Sequence, residues 1–300
     1  MTTATMNAYC DASSLANFNA WAYWMYQQFL AFGWTQTADT GQGTFPATGS
    51  APSAAGYFAI FKSGDALSGT SPIYVKIEFW ESSSIPYFAL TVGTGGTDGA
   101  GNLLAPYTTR IYGGGTPMSF KAYGASTTNL LPCYASGDAG SIRFAMWCGP
   151  STSSPDNYNI VGIVIGRSRD SSGNATGNYV QMWVWCYGGS AFQTVFASSV
   201  GGGTNNLDQT NYFIAAVPYF SGSVTWSNAG AIAVAPVLQN VGGLSNPTPD
   251  LLIGSNADFP AGATAAITVY GVSHNYLGAS SHAQNAYLNG PQSTPLMRYE

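Results

Sequence analysis

"IYVKIEFW", residues 73–80, decides how this chain folds. Ile73, Val75, Ile77 and Phe79 alternate with Tyr74, Lys76, Glu78 and Trp80, a period of two that fits a strand with one buried face and no helix. Lys76 and Glu78 share the side away from the apolar residues, where a solvated or subunit-facing role is expected. After the link ESSSIP, the run YFALTVG at 87–93 repeats the alternation with Phe88, Leu90 and Val92. The two runs are therefore expected to form an antiparallel hairpin.

The hairpin leads into TVGTGGTDGAGNLL, residues 91–104. As a dinucleotide loop it fails, because Asp98 stands where the third glycine of G-x-G-x-x-G belongs. A phosphate-binding Walker loop is excluded by the lack of any lysine between Lys76 and Lys121. For calcium, one carboxylate is too few. A turn remains, with Asp98-Gly99 as a favoured turn pair.

Upstream, Leu15, Phe18, Ala22, Met25, Phe29 and Phe32 recur at steps of three and four, which predicts one amphipathic helix over 12–32, capped by Asp11 or Ser13 and ended by Gly33. Trp21 and Trp24 widen its stripe. Downstream, NIVGIVIGR (159–167) and YVQMWVWCY (179–187) flank SRDSSGNATG and read as a second hairpin with a long tip. Further strand candidates are residues 56–62, 141–148, 191–197, 212–219, 231–237 and 265–272. Short strands at this density predict a mainly β chain, an antiparallel β-sandwich or distorted barrel carrying one N-terminal amphipathic α-helix. Residues 1–235 read as a helix plus β-sandwich body. Residues 236–300 read as a C-terminal extension with further strands and a terminal arm, either separate or part of the same domain. Within it QNVGGLSNPTPD (239–250) reads as an extended loop, and AYLNGPQSTPLMRYE (286–300) as disordered or as an arm ordered by a partner.

Only 7% of the 300 residues are charged, yet 45% are apolar. Disorder is thereby excluded, and a surface so poor in charge fits one covered by neighbouring subunits. With eight basic residues scattered along the chain and a net charge of −5, no nucleic-acid groove is expected. No run of about 18 apolar residues marks a membrane span. The start MTTATMNAYC lacks the features of a signal peptide, which places synthesis and folding in a cytoplasm. Asn174-Ala175-Thr176 then reads as a turn and not as a glycosylation site.

Chemistry is hard to place. Cys10, Cys133, Cys148 and Cys186 form no C-x-x-C pair and read as buried thiols, with a Cys148–Cys186 disulfide left open. The only two histidines, His274 and His282, lie in no metal or triad motif and read as a strand-end and a loop residue. Most carboxylates fall in turns (Asp39, Asp98, Asp138, Asp170), which leaves a glycosidase-like acid pair open only in form. No catalytic residue, metal site or cofactor is expected. One set of side chains does stand out: Tyr179, Gln181, Trp183, Trp185 and Tyr187 alternate onto one face of a single run, with Trp147 on another. Aromatic platforms beside amides suit sugar stacking. They equally suit an interface, or a bed for the helix.

Four stretches taken together, AWAYWMYQQFLAFGWTQTADTGQ (20–42), YVKIEF (74–79), LTVGTGGTDGAGNL (90–103) and GRSRDSSGNATGNYV (166–180), resemble a group of tailed-bacteriophage structural proteins. The resemblance spans roughly residues 15–190 and rests on turn and strand signatures. It implies a virion component of the tail, collar or fibre region, assembled in the host cytoplasm, a homo-oligomer that also meets other virion proteins. No family catalytic residues carry over. The alternative is a host-glycan-binding adhesin or decoration module using Trp147, Tyr179, Trp183, Trp185 and Tyr187. A polysaccharide depolymerase ranks third.

Overall fold

The computed structural model describes residues 1–8, 15–43, 45, 56–82, 85–107, 118–119, 131–151, 154–170, 174–188, 191–200, 225–226, 230–231, 234–241, 244–255, 262–269, 271–278 and 293–300. The expected strand at 212–219, His282 and Cys10 lie outside these.

In chain order, β1 (Thr2–Ala8) and α1 (Leu15–Ala31) precede β2 (Thr35–Gln36), β3 (Tyr57–Lys62), β4 (Tyr74–Ser82), β5 (Ile85–Gly93) and β6 (Met118–Ser119). Then come β7 (Leu131–Asp138), β8 (Ser141–Ser151), β9 (Ser154–Arg169), β10 (Ala175–Gly188) and β11 (Ala191–Val200). A short β12 (Thr225–Trp226) and β13 (Gly230–Ala231) lead to β14 (Val234–Val241), β15 (Leu244–Ser255), β16 (Thr264–Val269), β17 (Val272–Gly278) and β18 (Ser293–Arg298). The chain is mainly β, with three antiparallel sheets and one helix: β2-β3-β4-β5-β6, β1-β7-β8-β9-β10-β11 and β14-β15-β18-β17-β16, besides the β12-β13 ribbon.

The opening stretch forms its hairpin. Ile77 pairs with Leu90 and Phe79 with Phe88, and Ile73, Val75, Ile77, Phe79, Phe88, Leu90 and Val92 are all buried. The link is shorter than expected, since Ser82 still pairs with Ile85.

α1 lies between two sheets, and this explains its aromatic content. Trp21 meets Phe79 and Phe88 edge-on at 5.5 and 5.4 Å, while Phe29 stacks on Phe61 at 4.4 Å, all on the β4–β5 side. On the other side Trp24 reaches Phe144 of β8 at 5.8 Å. Because both flanks are covered, the buried arc is wider than a single stripe and takes in Trp21, Ala22, Trp24, Met25 and Phe29. The bed of the helix is thus Phe61, Phe79, Phe88 and Phe144.

Gly33, at φ 90°, ends α1 in a Schellman turn: Trp34 N–H donates to the Phe29 carbonyl and Gly33 N–H to that of Leu30. Two neighbours lock this end, as Trp34 Nε1 donates to the Asp138 carbonyl at 2.9 Å and a Cβ on Gly64 would lie 2.1 Å from the Gly33 carbonyl oxygen.

The C-terminal sheet differs from its expected form. Residues 239–241 and 244–250 belong to a β14–β15 hairpin in which Val241 pairs with Leu244. The 265–272 run is broken by a turn at Gly271, φ 76°, into β16 and β17. Ser293–Arg298, from the stretch without periodicity, is the middle strand of its sheet, paired with β15 on one side and β17 on the other.

Candidate functional site

The glycine loop is a turn tied down at both ends. Asp98 Oδ1 accepts the amides of Ala100 at 2.8 Å and Asn102 at 3.0 Å, and Asn102 Nδ2 donates to Asp98 Oδ2 at 2.7 Å. The same closure recurs at the β9–β10 tip, where Asp170 Oδ1 accepts the Asn174 amide at 2.9 Å and Asn174 Nδ2 donates to Oδ2 at 3.3 Å. In each loop the aspartate amide also donates to the asparagine carbonyl. D-x-x-x-N is therefore one local device used twice.

The 91–104 loop docks on its neighbour at 37–42. Asp39 Oδ1 accepts the Gly101 amide, and Thr40 N–H donates to the Gly99 carbonyl at 2.9 Å. Burial alone would raise the Asp39 pKa, but hydrogen bonds from Thr37, Thr97, Gly101 and Gly99 outweigh it and hold the carboxyl below its ordinary value. Gln42 is the hub: its Nε2 donates to the carbonyls of Thr37 and Asp39, and its Oε1 accepts the Ile60 amide at 2.8 Å. Lys76 Nζ lies 4.4 Å from the Phe58 ring centroid, donates to the Gly101 carbonyl and comes 3.8 Å from Glu78. The expected polar pair on β4 is therefore a clamp for the loop.

The remaining charges are largely internal. Arg167 of β9 is buried and bonded through Nε and Nη2 to Asp65, and through Nη1 to the Ser71 carbonyl at 2.8 Å, fastening the β3–β4 connection to the six-stranded sheet. On the opposite face Arg143 of β8, fully buried, donates to Asp250 of β15 at 2.6 Å and to Ser141 Oγ at 3.0 Å. Arg298 comes within 3.6 Å of the same Asp250 and also binds Glu300, which accepts from or is shared with His274 Nδ1 at 2.8 Å. Burial would raise the Glu300 pKa, yet bonds from Arg298 and His274 prevail and lower it. Tyr276, fully buried beside this group, has its phenol pushed up by burial and then by the Asp250 charge, so it stays neutral. Sequence reading missed this cluster. Its members come from β8, β15, β17 and β18, and no local spacing links them.

The singled-out aromatics can be placed by register. Trp183 pairs with Val164, which pairs with Arg143; Trp185 pairs with Gly162, which pairs with Ala145; Trp147 pairs with Ile160. Val180 belongs to the core around α1. Val180 therefore marks the α1 side of β10, while Arg143, one residue out of phase with the core residues Ile142 and Phe144, stands on the sheet's other face. The strand β10 alternates without interruption here, because the bulge opposite Val184–Cys186 belongs to β11. Asp250 approaches one end of this face, where a Cβ on Gly166 would lie 3.4 Å from its Oδ2.

Register also places the backbone of the two cysteines left open as a pair. Cys148 pairs with Asn159 and Cys186 with Val161, on opposite sides of β9. Their Cα atoms are at least two strand spacings, about 9–10 Å, apart.

His274 lies within β17 and Asp138 caps its own turn, accepting the Gly140 amide at 2.9 Å. Among the described residues no three His, Cys, Asp or Glu side chains gather as metal ligands, and no helix is long and apolar enough to cross a membrane. Comparison with known protein families and with characterised proteins gives no match.

Proposed function

We propose that this chain is a non-enzymatic structural subunit of a bacteriophage virion, in the tail, collar or fibre region, acting through protein–protein assembly interfaces. One observation carries the reading: of only eight lysines and arginines, Arg143 and Arg167 are buried in ion pairs that join the chain's own layers, and Arg298 is buried in pairs within the C-terminal sheet. The outer surface is thus even poorer in charge than the composition. Charge-depleted surface is what the centre of an obligate interface requires, and what a solitary soluble protein avoids. Arginines spent inside are also unavailable to phosphates, which supports partners made of protein in place of nucleic acid. Asp39, Asp98, Asp138 and Asp170 likewise serve loop amides, and Asp65, Asp250 and Glu300 serve arginines, as expected of scaffolding. The resemblance of residues 15–190 to phage structural proteins supplies the setting.

Mass spectrometry of purified particles, with light scattering of the isolated protein, tests this. The chain is expected in particles at stoichiometric copy number and as an oligomer when pure. Absence from particles together with a stable monomer overturns the reading.

A second reading has its own observation, the register that sets Trp147 on β8 and Trp183 and Trp185 on β10, either side of β9. As a glycan-binding decoration module, the chain would bind host envelope sugars on an array. Trp185→Ala would abolish binding with the fold intact, and an array without signal removes the idea.

A further inference from the structure

Resting on the assembly reading, we propose that the outer edge of β16 is a self-pairing surface, and that two copies of this chain join their C-terminal sheets through antiparallel β16–β16 contact. In the sheet order β14-β15-β18-β17-β16, β16 is an edge, and among the described residues no strand pairs with its outer side. The β12-β13 ribbon comes near it and, among the described residues, pairs only within itself.

Natural edge strands are usually guarded by a charge, a proline or a bulge. Within Thr264–Val269 β16 has none of these, and its one bulge lies ahead of the strand, where Gly262, at φ 74°, and Ala263 both bond Gly278. Its sequence is TAAITV, its pairing with β17 runs without a register shift, and no charged residue occurs from Phe259 to Ser273. The backbone phase is also fixed. Val269 and Val272 close a two-residue turn and so exchange hydrogen bonds, as do Ile267 with His274 and Ala265 with Tyr276. The Gly278 amide donates to the Ala263 carbonyl, in phase with this. Thr264, Ala266 and Thr268 therefore point their N–H and C=O groups outward, and all three are exposed.

A second copy fits this edge better than an arbitrary strand, because the pattern is self-complementary about Ala266. A two-fold axis there pairs Thr264 with the partner's Thr268, Ala266 with the partner's Ala266, and Thr268 with the partner's Thr264. Every outward group then meets an outward group. The flanking pairs are threonine on threonine, a favourable cross-strand match, and no like charges meet across the axis. Ala265 and the buried Ile267 continue their apolar face onto the partner's sheet. One strand pair alone buries less than the roughly 1,000 Å² of a robust interface, so the contact is expected to be reversible and concentration-dependent in isolated protein.

Sedimentation equilibrium of the full chain over a wide concentration range tests this. Ala266→Pro removes the central outward amide without removing a bond to β17, and Ala266→Lys sets two charges face to face. Both should weaken self-association by at least about tenfold, with circular dichroism unchanged, while Thr3→Lys on the edge strand β1 should leave it as in wild type. If both position-266 variants associate like wild type, the β16 contact is overturned and the assembly reading stands. A wild type that stays monomeric at every concentration also overturns the contact, and the assembly reading is then decided separately by the presence of the chain in particles.

Discussion

The six-stranded sheet is covered on its two faces by unlike materials. Toward α1 the contact is made of rings: Trp24 and Phe29 against Phe144, with Ile142, Ile163, Ile165 and Val180 around them. Toward β15 and β18 the described contact is mostly ionic and hydroxylic, with one ring pair: Arg143 with Asp250, Ser136 Oγ with the Glu300 backbone, Thr5 with the Tyr299 hydroxyl at 2.8 Å, and Tyr134 edge-on to Tyr299 at 5.6 Å. The first kind of contact scales with area and hardly notices pH or salt. The second is directional and fixes register, at the cost of desolvating its ions. A chain with few charges has placed them where two sheets must meet in one alignment.

The largest break in this comparison should come from the apolar side. Trp21→Ala removes a ring wedged between Phe79 and Phe88 and should lower unfolding free energy by about 3–5 kcal/mol in a denaturant titration. On the ionic side, Asp250→Asn should cost about 3 kcal/mol, because Arg143 stays buried without its counter-charge while the amide keeps one acceptor. Replacing both partners sharpens the contrast: Arg143→Met with Asp250→Leu should be near neutral or stabilising, since Arg143 Nε finds no acceptor even in the intact cluster. The same double change should reduce the salt dependence of stability.

A smaller effect is expected with pH. The Glu300 pKa is lowered in the fold from its ordinary 4.5, so its contribution is fully present above about pH 4.5 and is lost as pH falls through the lowered value. Melting temperature should therefore drop on acidification below that point, and Glu300→Gln should flatten part of the drop. Smallest of all, Asp98→Ala should leave global stability nearly unchanged while speeding hydrogen exchange at the Ala100 and Asn102 amides, its two loop partners.

What could be read from sequence follows the same division. The β4–β5 hairpin and α1 were legible because burial on one side imprints a local period on neighbouring residues, and the turn role of Asp98 and Asp170 was legible because their acceptors lie within four residues. The ionic cluster was not. In SIRFAMWC the alternation of Ile142 and Phe144 announces a strand, but nothing near Arg143 announces Asp250, 107 residues on. The position of β18 was equally hidden, since Pro295 interrupts its pattern and both its pairing partners are distant. Among the five aromatics, sequence grouped four on one run. Only register set Trp147 of β8 across β9 from that run.

The sheet order β14-β15-β18-β17-β16 carries a consequence for biosynthesis. A ribosome delivers the β14–β15 and β16–β17 hairpins before residues 293–298, so each must wait with an open inner edge. Arg298 and Glu300 arrive with the joining strand, so zipping the two hairpins together and closing the cluster around Asp250 form a single step, and a nascent chain halted short of Ser293 holds neither.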